Sequence, residues 1–216
     1  MPSPTTPVAA LAALVVLVGT LSAMAHAGGR RRGAAILKMT AATGYVAVAL
    51  LAGSLHTTYG RILLAGLGLC WLGDLLLIPG GKGAAFMGGL AIFLLGHVAY
   101  AAAFLRAGVS IAWVMACAAP VVLVGGTVLR WLWRQPLPRP MQAPVVAYMA
   151  AISVMVALAW GTKGAGSSWI IPVGAVAFMT SDIFVARERF VGSSPWNTRL
   201  GLPLYFAGQA LLALSA

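Results

Sequence analysis

The sequence predicts an all-α protein, a polytopic membrane bundle of eight transmembrane helices in a single domain. Of its 216 residues, 61% are hydrophobic and only 8% are charged, and the mean hydropathy is +0.96. A soluble domain is about 25% charged. Eight apolar runs are each long enough to cross a hydrocarbon core of about 30 Å. These runs lack the alternation of a membrane β-strand, so helices are the form expected to span the bilayer.

The eight predicted helices follow one another with short connections. Their ranges are 6–27, 34–53, 60–78, 84–105, 109–131, 141–160, 168–186 and 197–216. Glycine and proline mark the connections, for example at Gly28-Gly29 and Pro79-Gly80-Gly81. No connection is long enough for a second domain, so we expect one bundle over residues 1–216.

The first apolar run, residues 6–27, shares one feature with a secretory signal peptide. Ala25-His26-Ala27 resembles a small-residue cleavage site. A signal peptide carries positive charge before its apolar run, whereas here Arg30, Arg31 and Arg32 follow the run. We therefore interpret it as a first membrane helix whose N-terminus lies outside.

The distribution of lysine and arginine predicts the orientation of the bundle. Only three of the 14 basic residues, Arg61, Arg106 and Lys163, belong to the connections after helices 2, 4 and 6. The other eleven flank the connections after helices 1, 3, 5 and 7, which should therefore be cytoplasmic. We expect a bacterial inner (plasma) membrane protein with both termini outside. The net charge of +11 suits anionic lipid headgroups, and we expect no nucleic-acid partner.

Asp74, Asp182 and Glu188 are the only acidic residues. The two aspartates lie within apolar runs, where an ionisable group costs about 2.5–3.5 kcal/mol. Helices 3 and 7 run the same way, so both carboxyl groups should face one cavity in the cytoplasmic half. Burial favours the neutral form of a carboxyl group, and a nearby cation favours its ionised form. Lys38 is the best-placed cation, so one aspartate can act as an acid and the other as a base. Structural pairing of Asp74 with Lys38, or of Asp182 with Arg187, is the alternative. Glu188 lies between two arginines, which is typical of a solvated ion pair.

Other polar residues lie on helices 4, 6 and 8. The residues that share one face of helix 4 are Gly89, Phe93, His97, Tyr100 and Phe104. This face could hold a lipid chain or polarise a water, and packing with His97 bonded to a neighbouring helix explains it equally well. For Tyr205 and Gln209 on helix 8, and for Tyr148 on helix 6, packing is the default interpretation.

The histidines and cysteines do not form a metal or redox motif. His26, His56 and His97 lie at different predicted depths, so they cannot meet around one zinc ion. Cys70 and Cys117 belong to no CxxC motif, and we expect no disulfide. The sequence also lacks the GxSxG motif of a serine hydrolase. We therefore expect neither a metal nor a cofactor.

A series of short motifs runs from helix 3 to helix 8. It comprises Leu72-Gly73-Asp74 with Leu77, Phe86-Met87-Gly88-Gly89, Phe93, Gly96-His97, Tyr100, Pro144-Val145 with Tyr148 and Met155, Gly174-Ala175, Phe178, Ser181-Asp182, Arg189-Phe190, Tyr205 and Gln209. In this order the motifs resemble the YhhN-like lysoplasmalogenase family of small eight-helix membrane proteins. Two positions depart from the family pattern. Met39 follows Lys38 where the family usually has proline, and Cys70 stands where it often has serine.

The resemblance implies hydrolysis of the vinyl-ether bond of a lysoplasmalogen, a lysophospholipid substrate, to a fatty aldehyde and a glycerophospho-ethanolamine or -choline. Asp74 and Asp182 would be the catalytic residues. The substrate-binding residues would be Lys38, His97, Tyr100, Tyr148, Tyr205 and Gln209. Proton delivery to the alkenyl carbon and water addition need one carboxylic acid and one carboxylate. The alternative is a small lipid-binding protein or transporter that uses the aspartates as a proton relay. The sequence leaves the headgroup, the acid and base assignment and the oligomeric state open.

Overall fold

The computed structural model describes residues 6–78 and 83–216 and shows eight α-helices. The helices are α1 (Thr6–Ala27), α2 (Arg31–Leu51), α3 (Thr58–Leu77), α4 (Ala84–Ala107), α5 (Ile111–Trp133), α6 (Arg139–Gly164), α7 (Ile170–Phe190) and α8 (Pro195–Leu214). No described residue lies in a strand, so the all-α prediction is confirmed. Each predicted helix boundary lies within four residues of the observed one. The predicted connection at 79–81 and the basic residue Lys82 lie outside the described residues.

Seven helices of the described chain, α1 to α7, are long and apolar enough to cross a membrane, and the chain is an integral membrane protein. Helix α8 has the length of a span, 20 residues, but it contains Asn197, Arg199 and Gln209. Asn197 and Gln209 are buried in the protein, where α8 packs along α7 and α1. Two of these three polar residues, Asn197 and Gln209, therefore face the bundle, which allows this helix to lie among the other seven, while Arg199 is exposed.

Six of the helices form a ring. In the order α2, α3, α4, α6, α7 and α8, each helix packs against the next, and α8 packs back against α2. Helix α1 packs against α2 and α8, and α5 packs against α6. This arrangement directs the inner faces of six helices towards one another, so polar residues that are far apart in the sequence can meet.

Glycines allow α3 and α4 to approach closely. A Cβ atom at Gly66 would lie 2.6 Å from the Tyr100 ring, and one at Gly73 would lie 2.7 Å from the Phe93 ring. Real Cβ atoms are not found at such distances from a ring, so the two aromatic side chains pack directly on the α3 backbone. Small residues at helix contacts are the usual way in which membrane helices come together. The contact places Phe93 and Tyr100 inside the ring.

Glu188 stabilises the connection between α7 and α8, which corrects the ion pair expected from its arginine neighbours. The carboxylate accepts hydrogen bonds at 2.6–3.0 Å from Ser193, Ser194 and Asn197. The two neighbouring arginines have other partners. Arg187 donates to the Asn197 side-chain oxygen, and the Arg189 guanidinium lies 4.3 Å from the centre of the Phe86 ring. Glu188 is therefore a residue of the helix connection.

The basic asymmetry leads to a prediction about sidedness. In intact cells, a membrane-impermeant maleimide should label Ser168→Cys, before α7, and should label Gln135→Cys, after α5, only once the membrane is permeabilised. Both native cysteines, Cys70 and Cys117, are buried, so the parent protein should give a low background. Labelling of both introduced cysteines from outside would overturn the predicted orientation.

Candidate active site

Asp74, one turn before the end of α3, is almost fully buried, with 1% of its surface exposed. Its Oδ1 lies 3.0 Å from the Lys38 ammonium. Its Oδ2 accepts hydrogen bonds from the hydroxyl groups of Tyr205, at 2.6 Å, and Tyr45, at 3.2 Å. The Lys38 ammonium also donates to the Asp74 carbonyl oxygen at 3.3 Å. One cation and two donor hydroxyls all stabilise negative charge, so these surroundings favour the ionised carboxylate.

A chain of hydrogen bonds continues from this carboxylate across the ring. The Gln209 amide donates to the Tyr205 hydroxyl at 3.1 Å, and the Tyr100 hydroxyl donates to Gln209 Oε1 at 2.7 Å. The chain therefore begins at Lys38 on α2 and ends at Tyr100 on α4. Four of the six residues predicted to bind substrate join Asp74 in one network, which we call the Asp74 network.

Asp182 lies two turns before the end of α7, in quite different surroundings. Its Oδ2 accepts a hydrogen bond from the Tyr148 hydroxyl at 2.7 Å, and His97 Nε2 lies 3.9 Å from the same oxygen. No lysine or arginine among the described residues forms a salt bridge with it. Its side chain is 18% exposed, against 2% for Asp74. An unpaired carboxyl group in apolar surroundings favours the neutral form. Asp182, Tyr148 and His97 form the second cluster, the Asp182 cluster.

The Phe178 ring contacts both groups of polar residues. It lies 4.7 Å from the His97 ring and 5.3 Å from the Tyr205 ring, measured between ring centres. Phe93 adds contacts of 6.0 Å to Tyr205 and 6.3 Å to Phe178. Phe93 and Phe178 therefore form an aromatic junction between the two groups of polar residues, and a cavity shared by the two carboxyl groups stays a prediction. Phe178 on α7 thus joins the Asp182 cluster, through His97, to the Asp74 network, through Tyr205.

The comparison with known proteins covers both clusters. Residues 33–216 match the model of the YhhN family. The chain belongs to the YhhN family. The matched range contains every residue of the Asp74 network and of the Asp182 cluster. The chain is also similar to a protein of Bos taurus named lysoplasmalogenase TMEM86A, with 30% identity over 176 residues, which cover 74% of this chain and 67% of the bovine protein. No solved structure matches the chain.

His97 has the most unusual surroundings of the residues in the two clusters. Its side chain is fully buried, yet neither ring nitrogen has a hydrogen-bond partner among the described residues. Buried polar atoms without partners are uncommon, and each calls for an explanation such as a bound water or a catalytic role. The ring packs against aromatic side chains, with its centre 4.9 Å from that of Tyr148. Of the two interpretations of His97, the one in which it hydrogen-bonds a neighbouring helix is therefore not found among the described residues.

The structure adds two residues to the site: Tyr45, which sequence analysis missed, and Phe178, which belongs to the motif series but was given no role in the site. Tyr45 donates directly to Asp74, and it follows Lys38 by seven residues on α2, which is two helical turns and the same face. Phe178 precedes Asp182 by four residues, or one turn. Helical spacing from the ionisable residues could have identified both of them. Among the described residues, no three histidine, cysteine or acidic side chains are grouped so as to hold a metal ion.

Proposed function

We propose that this protein hydrolyses the vinyl-ether bond of a lysophospholipid of the lysoplasmalogen type. The observation that carries the proposal is the unequal surroundings of the two carboxyl groups on α3 and α7. Asp74 is paired with a cation and two hydroxyl groups, whereas Asp182 has one hydroxyl and an unpaired histidine beside it. Two carboxyl groups whose surroundings favour opposite charge states are typical of an acid and base pair. Membership of the YhhN family and the name of the bovine relative support the substrate class.

The chemistry assigns the acid role to Asp182. Hydrolysis begins when a proton is added to the alkenyl carbon that is remote from the ether oxygen, which leaves an oxocarbenium ion. A neutral carboxyl group can deliver this proton, and Asp182 is the carboxyl group without a cation. The Tyr148 hydroxyl donates to Oδ2, so Oδ1 is the oxygen that can carry the proton.

The Asp74 network takes the electrostatic role. The ether oxygen and its neighbouring carbon become positive as the proton arrives, and a fixed negative charge lowers the energy of that state. The carboxylate of Asp74 is held in place by Lys38, Tyr45 and Tyr205, so it need not reorganise during the reaction. Water then adds to the cation, and the resulting hemiacetal collapses to an aldehyde and a free glycerol hydroxyl.

The proposed orientation puts the C-terminal ends of α3 and α7, and with them both aspartates, on the cytoplasmic side of a plasma membrane. A lysolipid of the inner leaflet would then reach the site with its tail among the helices. Its phosphate would lie near the basic residues at the start of α2, Arg31 and Arg32, which are exposed. Phosphate and arginine are well matched in charge and geometry.

Aldehyde release tests the proposed function. We expect the purified protein, kept in a metal chelator, to release fatty aldehyde and glycerophospholipid from 1-alkenyl lysophospholipids with an ethanolamine or choline headgroup. Matched 1-alkyl lipids should not react because they have no double bond to protonate, and matched 1-acyl lipids should release no fatty acid. Mass spectrometry of both products measures the result. A folded protein that produces no aldehyde from either alkenyl lipid would favour the alternative, a lipid-binding protein or transporter.

A further inference from the structure

The buried and unpartnered imidazole of His97 suggests a role beyond contact with the substrate. We infer that His97 is a catalytic base that binds the attacking water through Nε2 and takes its proton, as the partner of the acid Asp182. The inference rests on the proposed vinyl-ether hydrolysis and supplies the group that activates water in it. Three features carry the argument: the distance to Asp182, the fixed ring and the ring nitrogen that no described residue occupies.

The distance between His97 and Asp182 leaves a place for one water. The 3.9 Å between Nε2 and Oδ2 is too long for a direct hydrogen bond. A water about 2.8 Å from both atoms forms a bent bridge of ordinary hydrogen bonds. The partly exposed side chain of Asp182 gives such a water a route into the site. The water would also satisfy a buried ring nitrogen that the described residues leave unpaired.

Aromatic contacts fix the direction of the imidazole. The His97 ring lies nearly perpendicular to the Tyr148 ring, at an angle of 86°, and its centre is 4.7 Å from that of Phe178. Both neighbours are also tied into the site, since Tyr148 donates to Asp182 and Phe178 contacts Tyr205. The imidazole is therefore positioned before any ligand arrives, as a general base must be.

The other carboxyl group cannot easily activate water. Oδ1 of Asp74 is occupied by the Lys38 ammonium, and its Oδ2 already accepts from two tyrosine hydroxyls. Proton transfer leaves Asp182 as a carboxylate whose Oδ2 accepts from Tyr148, and this carboxylate has to take up the hydroxyl proton later, when the hemiacetal collapses. A neutral imidazole has one acceptor nitrogen, and among the described residues of the site that of His97 is unoccupied.

The two groups complete a balanced cycle. Asp182 gives its proton to the alkenyl carbon, and His97 takes a proton from the water as its oxygen bonds to the oxocarbenium carbon. In the collapse of the hemiacetal, the Asp182 carboxylate takes the hydroxyl proton, and the protonated His97 gives its proton to the departing glycerol oxygen. The carbon–oxygen bond to glycerol breaks, one water has been added, and both side chains regain their starting protonation states.

Hydrogen exchange into the substrate tests this assignment. In heavy water, the parent protein should release an aldehyde with one deuterium beside the carbonyl group and leave unreacted substrate unlabelled. His97→Gln should lower aldehyde release about 10²-fold, in the range of a lost general base. It should also place deuterium on the alkenyl carbon of recovered substrate, because a cation that water does not trap returns its proton to Asp182. Mass spectrometry measures both, and His56→Gln, which changes an exposed histidine, is the matched control.

A second variant separates a chemical role from a packing role. His97→Ala leaves space that imidazole added to the buffer can enter, and aldehyde release should then be partly restored. Aldehyde release by His97→Gln within twofold of the parent overturns the inference. If His97→Gln loses aldehyde release but leaves no deuterium in the recovered substrate, the inference is also overturned, because the step that failed would then be proton delivery to the alkenyl carbon. Misfolding of both variants would establish a packing role instead. If the parent protein releases no aldehyde, the proposed function itself fails; if only the His97 results differ from expectation, the proposed function stands without this base.

Discussion

Asp182→Asn is expected to lower aldehyde release by about 10²–10⁴-fold, the usual contribution of one general acid, while the protein folds normally. Asparagine keeps the size of the side chain and still accepts the hydrogen bond from the Tyr148 hydroxyl. It has no proton to give to the alkenyl carbon, so the first step of the hydrolysis loses its donor. The measurement is the single-turnover rate of aldehyde release by purified variant protein, together with its melting temperature.

Two further variants of the same region sharpen this result. Thr180→Val changes a partly exposed residue of α7 whose hydroxyl donates to its own helix, to the Val176 carbonyl oxygen, and it should leave the rate unchanged. Tyr148→Phe keeps the carboxyl group and removes its hydroxyl partner, so its loss of rate should be smaller than that of Asp182→Asn. A folded Asp182→Asn protein with a rate close to that of the parent would remove Asp182 from the mechanism.

The fold was largely accessible from hydropathy, because the length of an apolar run reflects the thickness of the bilayer. Hydropathy indicates which residues are apolar enough to lie in the membrane, not where a helix begins and ends. The errors at the helix ends follow from that difference. Helix α7 was expected to end at residue 186, before Arg187, yet it continues to Phe190. The charged residues there leave the hydrocarbon without interrupting the helix. Similarly, α6 continues past Trp160 to Gly164.

The candidate site was partly accessible for a different reason. Charge in hydrocarbon is costly, so Asp74, Asp182 and Lys38 could be selected from composition and position alone. The pairing of Lys38 with Asp74, first weighed as a structural alternative, is present. It is also compatible with catalysis, since the same pairing favours an ionised carboxylate. His97 lacks hydrogen-bond partners among the described residues because of how side chains from α4, α6 and α7 pack around it. No spacing along one helix can predict this.

Variants of the Lys38–Asp74 pair can distinguish a contribution to stability from a contribution to catalysis. Lys38→Met leaves a buried carboxylate without its cation, which should destabilise the fold by about 3–5 kcal/mol, as is usual when one partner of a buried ion pair is removed. Asp74→Asn leaves a cation whose side chain is 16% exposed and should destabilise the fold less. The double variant Lys38→Met with Asp74→Asn buries no unpaired charge, so its stability should recover towards that of the parent.

Activity should not follow stability in this double variant. With the Asp74 charge gone, nothing in the Asp74 network stabilises the oxocarbenium ion, and we expect aldehyde release to stay about 10²–10³-fold below the parent, the range found when one electrostatic contact to a transition state is lost. Lys163→Met is the matched control, because Lys163 donates to the Ser167 carbonyl oxygen and lies over the Trp169 ring with no acidic partner. Thermal melting and single-turnover rates of the five proteins give the comparison. A double variant that regains both stability and turnover would mean that the Lys38–Asp74 pair serves the fold alone, and would leave Asp182 and His97 to act without a fixed negative charge.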